Sequence, residues 1–194
     1  MNVFINNKKE DFYMNDCFVG KTIIIRKAKE SDLDNAFKNI WSDKSLFKYM
    51  FYDSTESIEE AKKRLDRTIE YQKNNYAYFI CLKETDEVIG FCGMKDLGNG
   101  EYQETGVAIT SRYQSSGIGK EVSFLMLDYV FNTLKGEKFI CECMENNVKS
   151  KGLIKLLGFK LFDTYSTVSY YDNLEHVIEC YYLDKETYFG FINR

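Results

Sequence analysis

Seven residues have types and spacing suited to chemistry: Gln114-Ser115-Ser116-Gly117-Ile118-Gly119-Lys120, set between a strand-like and a helix-like run. Two glycines let the backbone turn tightly and leave consecutive N–H groups unpaired where a helix begins. Such a nest, with the helix dipole behind it, suits a pyrophosphate, and Lys120 adds a positive charge. Two common phosphate loops do not fit. A Walker A loop, G-x-x-x-x-G-K-[ST], would place its first glycine at Gln114 and its hydroxyl at Glu121, whose charge would repel magnesium phosphate. A dinucleotide fingerprint needs a third glycine where Val122 stands, and it opens the first βαβ unit rather than the middle of a chain. A glycine turn without a ligand is the plain alternative for these residues taken alone.

Other residue types exclude more than they propose. His176 is the only histidine, and Cys17, Cys81, Cys92, Cys141, Cys143 and Cys180 form no C-x-x-C pair. Zinc spacings are absent, so no metal is expected, and a Ser-His-Asp or Cys-His hydrolase is disfavoured. Cys141 and Cys143 sit two apart in an apolar run and read as buried free thiols on one strand face. The net charge is −4, with basic and acidic residues interleaved, which argues against nucleic acid as a partner. No run approaches about 18 apolar residues and the N-terminal stretch has no apolar signal core, so no membrane partner and a cytoplasmic location are expected.

The chain must supply elements that hold the glycine turn in place. Its 194 residues, 44% hydrophobic and 29% charged, suit one domain with a full core. Aromatics reach 16%, with 15 Tyr and 15 Phe, enough to build a core of rings or to line a groove. Residues 1–20 read as a leader, weakly ordered or docked, before a domain spanning 21–194. Strands are expected at 22–26, 76–82, 88–94, 104–110, 138–143, 159–171 and 175–183. A helix opens at Ser31, with Asp34 in the capping-box position. A second opens at Ser57, with Glu60 as its partner and Ile58, Ala61, Leu65 and Ile69 on one face. A third follows Gly117, burying Ile118, Val122, Leu125, Met126 and Tyr129. A fourth is capped by Asn147 and stops at Gly158. The aromatic stretch 41–53 is ambiguous. The predicted order is β-α-α-β-β-β-α-β-α-β-β: an α/β (α+β) domain whose mixed, mostly antiparallel sheet has about seven strands and about four flanking helices.

Taken together, three separated motifs resemble the GNAT (Gcn5-related) N-acetyltransferase superfamily. Gln114-x-x-Gly117-x-Gly119 is similar to its [QR]-x-x-G-x-[GA] pyrophosphate loop. Asn147-Val-Lys-Ser150 with Leu157-Gly158-Phe159 is similar to its N-x-x-[SA]…L-G-F segment. Glu104-x-Gly106 followed by Tyr113-Gln114 resembles the strand of the ribosomal-protein N-terminal acetyltransferase branch. The likeness spans roughly residues 22–184 in matching element order. It implies a single GNAT-like domain that moves an acetyl group from acetyl-CoA to a primary amine by direct attack, with no metal. Two strands would splay apart around the pantetheine arm, Val107, Ala108 and Ile109 offering backbone groups to it. An N–H among them, at Val107 or Ile109, would polarise the thioester carbonyl and hold its oxyanion. Ser115, Ser116, Gly117, Ile118, Gly119 and Lys120 would hold the pyrophosphate with Gln114, and Asn147 and Ser150 would flank the arm. Asn147 also reads as a plain N-cap.

An attacking amine must lose its proton, and Glu104 stands at the family's carboxylate position as candidate general base; a solvated strand acid is the alternative. A bulge at Gln103 would change which side chain faces the groove. One departure is clear. The tyrosine that many of these enzymes use as general acid is replaced by Ile154. The resemblance puts the acceptor between the first helices and the last hairpin, giving Trp41, Tyr49, Met50, Phe51, Tyr52, Tyr170 and Tyr171 as groove or core candidates. The partner implied is an amine-bearing small molecule or a peptide N-terminus, and the protein is a monomer or a homodimer. Ile154 makes a non-catalytic acyl-CoA-binding module the competing reading; a P-loop-like nucleotide binder is already opposed by Gln114 and Glu121.

Overall fold

The computed structural model describes residues 17–50, 54–169 and 172–192. Its strands are β1 (Cys17–Val19), β2 (Ile23–Arg26), β3 (Ala77–Leu82), β4 (Val88–Gly98), β5 (Glu101–Ile109), β6 (Lys138–Met144), β7 (Lys160–Val168) and β8 (Glu175–Asp184). Its α-helices are α1 (Leu33–Ala36), α2 (Ile58–Gln72), α3 (Ile118–Asp128), α4 (Val148–Leu156) and α5 (Lys185–Ile192). Among the described residues the strands form one sheet, ordered β1-β2-β3-β4-β5-β6-β8-β7. Pairing is antiparallel at β1–β2, β2–β3, β3–β4, β6–β8 and β7–β8, and parallel at β5–β6. Two residues, Asn99 and Gly100, join β4 to β5, and both have positive φ, as a tight hairpin turn requires.

The mixed, mostly antiparallel sheet is the one the sequence predicts, with an element added at each end. Residues 17–19 of the expected leader form β1, pinned by Phe18 standing edge-on to Tyr78 at 5.2 Å; residues 1–16 lie outside the described residues. Helix α5 begins because the Asp184 carboxylate accepts the Thr187 N–H at 2.7 Å, an N-cap placed at the end of β8.

One compact unit takes in the described residues of Met1–Leu46, Ser54–Gly93 and Gly106–Leu125. Ile23, Ile25, Ile40, Ala61, Ile80, Val88 and Ile89 are fully buried in it. Helix α2 starts as expected: the Ser57 hydroxyl accepts the Glu60 N–H at 3.2 Å, while the Glu60 carboxylate accepts from Glu56 at 3.3 Å. Ahead of α1, a 3-10 turn (Glu30–Asp32) forms, and Asp32 rather than Asp34 caps it, accepting the Lys29 N–H at 2.7 Å. The other task of Asp32 explains the difference. Both of its oxygens meet the buried Arg26 guanidinium at 2.8 Å, fixing the chain after β2. Arg26 also reaches Asp86 at 2.7 Å; desolvation raises the Asp86 carboxyl, but the hydrogen bonds and charges of Arg26 and Lys29 together outweigh it and hold the group below its usual range.

The second unit takes in the described residues of Phe47–Asp53, Met94–Thr105 and Met126–Arg194. Strand β6 pairs along its full length with β8. Cys141 and Cys143 face Ile154 of α4 and Tyr181 of β8 in a buried cluster that Phe159 covers. After α3 the chain widens into a π turn (Tyr129–Thr133), and Phe131 stacks on Tyr188 of α5 at 5.0 Å.

Candidate active site

In the first unit, the end of β5, a 3-10 turn (Ser111–Tyr113) and the start of α3 build the glycine turn. The Gln114 amide donates to the Ile109 carbonyl at 3.0 Å, and the Ser116 hydroxyl donates to the Tyr113 carbonyl at 2.6 Å. These two bonds tie the turn to the strand that precedes it. Ser115 (φ +60°) and Gly117 (φ +92°) take left-handed backbone, and a Cβ built on Gly117 would meet nothing within 4 Å. The glycine is therefore required by conformation, and its outer side is open. Among the described residues, no acceptor takes the N–H groups of Ser115 through Lys120; the first helical bond runs from Glu121 N–H to the Gly117 carbonyl at 3.1 Å. The result is an anion nest at a helix N-terminus. Lys120 is exposed, its ammonium 5.6 Å from the Phe124 ring. The Glu121 carboxylate points to the turn before β2, where it accepts from the Thr22 N–H at 2.9 Å and from the Thr22 hydroxyl. In the same unit Ala108 is buried, with Val107 and Ile109 half-buried on either side.

In the second unit, the parallel pairing of β5 with β6 runs Glu101–Lys138, Tyr102–Phe139, Gln103–Ile140 and stops. The register is regular as far as Gln103, the residue before Glu104. Strand alternation places Glu104 on the face of Tyr102, which β6 continues with Phe139, Cys141 and Cys143. Glu104 is half-buried, and among the described residues no hydrogen bond or ion pair reaches its carboxylate. Desolvation pushes its carboxyl up to about 7. Burial, reinforced by the nearby Glu104 charge, pushes the Cys141 thiol well above its usual range.

Helix α4 borders the same face. The Asn147 side chain accepts the Ser150 N–H at 3.2 Å, so it does cap the helix. Burial pushes the Cys143 thiol up to about 11, and the neighbouring Ser150 side chain draws it back in part. Ile154 is buried in the cluster with Cys141, Cys143 and Tyr181. Tyr181 donates its hydroxyl to Glu179 at 2.5 Å, and Lys151 pairs with the other Glu179 oxygen at 2.9 Å. Cys141 and Cys143 are buried thiols on one face, as the sequence predicts. Tyr181 is not among the sequence candidates, and the period-two alternation of β8 is the signal that points to it.

The acceptor candidates separate. Trp41 is a core residue of the first unit, 3% exposed, its ring 6.0 Å from Phe79 and 5.3 Å from the Arg64 guanidinium. Tyr49, half-buried, ends a 3-10 stretch (Lys44–Tyr49) and half-buried Met50 follows it, with the Lys48 ammonium 5.2 Å from the Tyr49 ring. Tyr170, with Phe51, Tyr52 and Tyr171, lies outside the described residues. Among the described residues, no group of three or more His, Cys, Asp or Glu is placed to hold a metal ion, and no helix is long and apolar enough to cross a membrane.

Comparison with known proteins meets this geometry from another side. Residues 22–160 match the family model described as "Acetyltransferase (GNAT) domain". An uncharacterized N-acetyltransferase p20 of Bacillus licheniformis is 30% identical over 144 residues, 71% of this chain and 79% of that protein. A GNAT-family acetyltransferase from Bacillus anthracis has a similar fold, with TM-score 0.75, 16% identity, and 88% and 99% of the two chains covered. A ribosomal-protein-S5-alanine acetyltransferase from Vibrio fischeri aligns with TM-score 0.70 and 18% identity over 89% and 98%. A helix N-terminus with open N–H groups in one unit and an interrupted parallel strand pair in the other are thus carried by a chain that belongs to the GNAT acetyltransferase family.

Proposed function

We propose that this protein transfers an acetyl group from acetyl-CoA to a primary amine by direct attack, with Glu104 as the general base. The observation that carries the reading is the placement of Glu104: a half-buried, unpaired carboxyl raised to about 7 where β5 and β6 stop pairing. A base titrating near neutrality is matched to taking a proton from an amine near pH 7, whereas an ordinary carboxylate is too weak. Acetyl-CoA supplies the activated acyl group. In the first unit, the open N–H groups of Ser115 through Lys120 fit its pyrophosphate, and Gly117 leaves the space beside them clear. Gln114 holds this nest to the end of β5, and backbone groups of Val107, Ala108 and Ile109 serve the thioester and the arm. In the second unit, Asn147 keeps its amide N–H groups for a ligand carbonyl while its oxygen caps α4, and Ser150 stays beside Cys143.

The acceptor is a small-molecule amine or a peptide N-terminus, met by Tyr49, Met50 and Tyr170. The Vibrio fischeri protein is named for a ribosomal-protein alanine, which makes alanine-initiated peptides the first acceptors to try. The cytoplasm is the proposed compartment, and the protein acts as a monomer or a homodimer. In a homodimer the pairing edge is β7, which exposes Leu161, Phe162, Tyr165 and Val168.

The test is CoA release from acetyl-CoA over a panel of peptides, polyamines and amino acids, with Glu104→Gln alongside. The wild type turns over at least one acceptor, and the variant loses about 10²- to 10³-fold in kcat/KM. Acetyl-CoA binding without turnover on any acceptor would instead identify a non-catalytic acyl-CoA-binding module, the reading that the burial of Ile154 favours.

A further inference from the structure

Glu121 lies one turn into α3, within the helix whose first N–H groups form the nest. A carboxylate there is a like charge close to any bound phosphate, and left free it would weaken anion binding. The structure disposes of it in a particular way. One oxygen takes the Thr22 backbone N–H at 2.9 Å and the other takes the Thr22 hydroxyl, so both are drawn to the turn between β1 and β2. That turn is itself fixed. Gly20 N–H donates to the Ile23 carbonyl at 2.9 Å, Lys83 N–H to the Thr22 carbonyl at 3.0 Å, and the Lys83 ammonium to the Gly20 carbonyl at 3.1 Å. A Cβ on Gly20 would land inside the Glu121 carboxylate, so the seat also requires glycine there. The Glu121 backbone N–H meanwhile bonds the Gly117 carbonyl at 3.1 Å. A single residue therefore ties the nest, through its backbone, to a distant turn, through its side chain.

We infer that Thr22 and Glu121 are positioning residues for the cofactor loop. Their latch holds the first turn of α3 in its anion-binding shape and keeps the Glu121 charge off the pyrophosphate. The inference rests on the proposal that the loop binds the pyrophosphate of CoA, and it touches no atom of the transferred acetyl group. Thr22→Val removes the hydroxyl donor and keeps the β-branched shape. Gly20→Ala evicts the carboxylate from the opposite side. Thr22→Val leaves the carboxylate with the backbone donor alone, Gly20→Ala displaces it from both donors, and each loosens the first turn of α3.

Titration calorimetry with two ligands tests it: CoA, and S-acetylpantetheine, which lacks the pyrophosphate. Thr22→Val and Gly20→Ala should each weaken CoA about tenfold at low ionic strength, less at high salt, and leave S-acetylpantetheine within about twofold. Thr22→Ser, which keeps both donors, should bind CoA like the wild type. The inference is overturned if the disrupted variants bind CoA as the wild type does, or if they lose both ligands equally, which is the signature of general damage. Wild-type protein that fails to bind CoA would overturn the pyrophosphate reading itself and the latch with it. Either disrupted variant suffices if the other does not fold.

Discussion

Replacing Glu104 with Gln should raise stability and remove activity, and the size of the gain should depend on pH. In the folded chain this carboxyl is raised to about 7 from an ordinary value of 4.5, and the cause is desolvation without a compensating partner. Folding therefore favours its protonated form. Between about 4.5 and about 7 the native state binds a proton that the unfolded chain has already lost, so stability falls as pH rises through that window. The gap of about 2.5 pH units, at 1.36 kcal/mol each, gives at most about 3 kcal/mol above pH 7, and nothing below 4.5. A glutamine stays neutral throughout, and whatever its amide costs is the same at every pH. Urea unfolding of wild type and Glu104→Gln at pH 5 and pH 8 isolates the effect as a difference of differences. The variant should gain about 2–3 kcal/mol more at pH 8 than at pH 5, equivalent to several degrees in Tm for a chain of this length. The acidic limb of the kcat/KM profile near pH 7 should vanish in the same variant. An equal stability change at both pH values would refute the reasoning, because it would mean that the carboxyl titrates normally and is not a base held ready by burial.

Gly117→Asp should abolish the thermal stabilisation of several degrees that saturating acetyl-CoA gives the wild type. It forces a side chain onto φ +92° and puts a negative charge at the nest; differential scanning fluorimetry reads the outcome. Asp32→Ala should cost about 3 kcal/mol in urea unfolding, because it takes two charge-assisted bonds from the buried Arg26 guanidinium, leaving Asp86 as its only carboxylate among the described residues, and removes the cap before α1, whereas Asp34→Ala should cost less than about 1 kcal/mol.

Local signals carried much of this structure. The Ser57 cap, the Asn147 cap and the stop at Gly158 depend on a few adjacent residues and appear where the sequence predicts them. The nest was legible for the same reason: left-handed backbone at a helix start selects glycine. Features decided by distant partners were not legible. Asp32 displaces Asp34 as cap only because Arg26 is buried against it, and Glu121, which the sequence uses merely to exclude a Walker loop, finds its seat 99 residues away at Thr22. Trp41 illustrates the same limit. An aromatic in an irregular stretch reads equally as groove or core, and its rings of contact with Phe79 and Arg64 come from elements that local pattern cannot bring together. The burial that moves Glu104 toward neutrality likewise comes from the sheet face as a whole.

The unequal exposure of the thiols turns the chain into its own reporter. Cys81, Cys92, Cys141, Cys143 and Cys180 are buried, and Cys17 alone is exposed, on the short strand that leads into the Gly20–Thr22 turn. A maleimide dye added to the native protein should therefore attach once, at Cys17, without mutagenesis. Placed there, the fluorophore sits on the segment that grips Glu121 and can register ligand arrival at the nest through a change in its mobility, while delayed labelling of the other five sulfurs times the opening of the core.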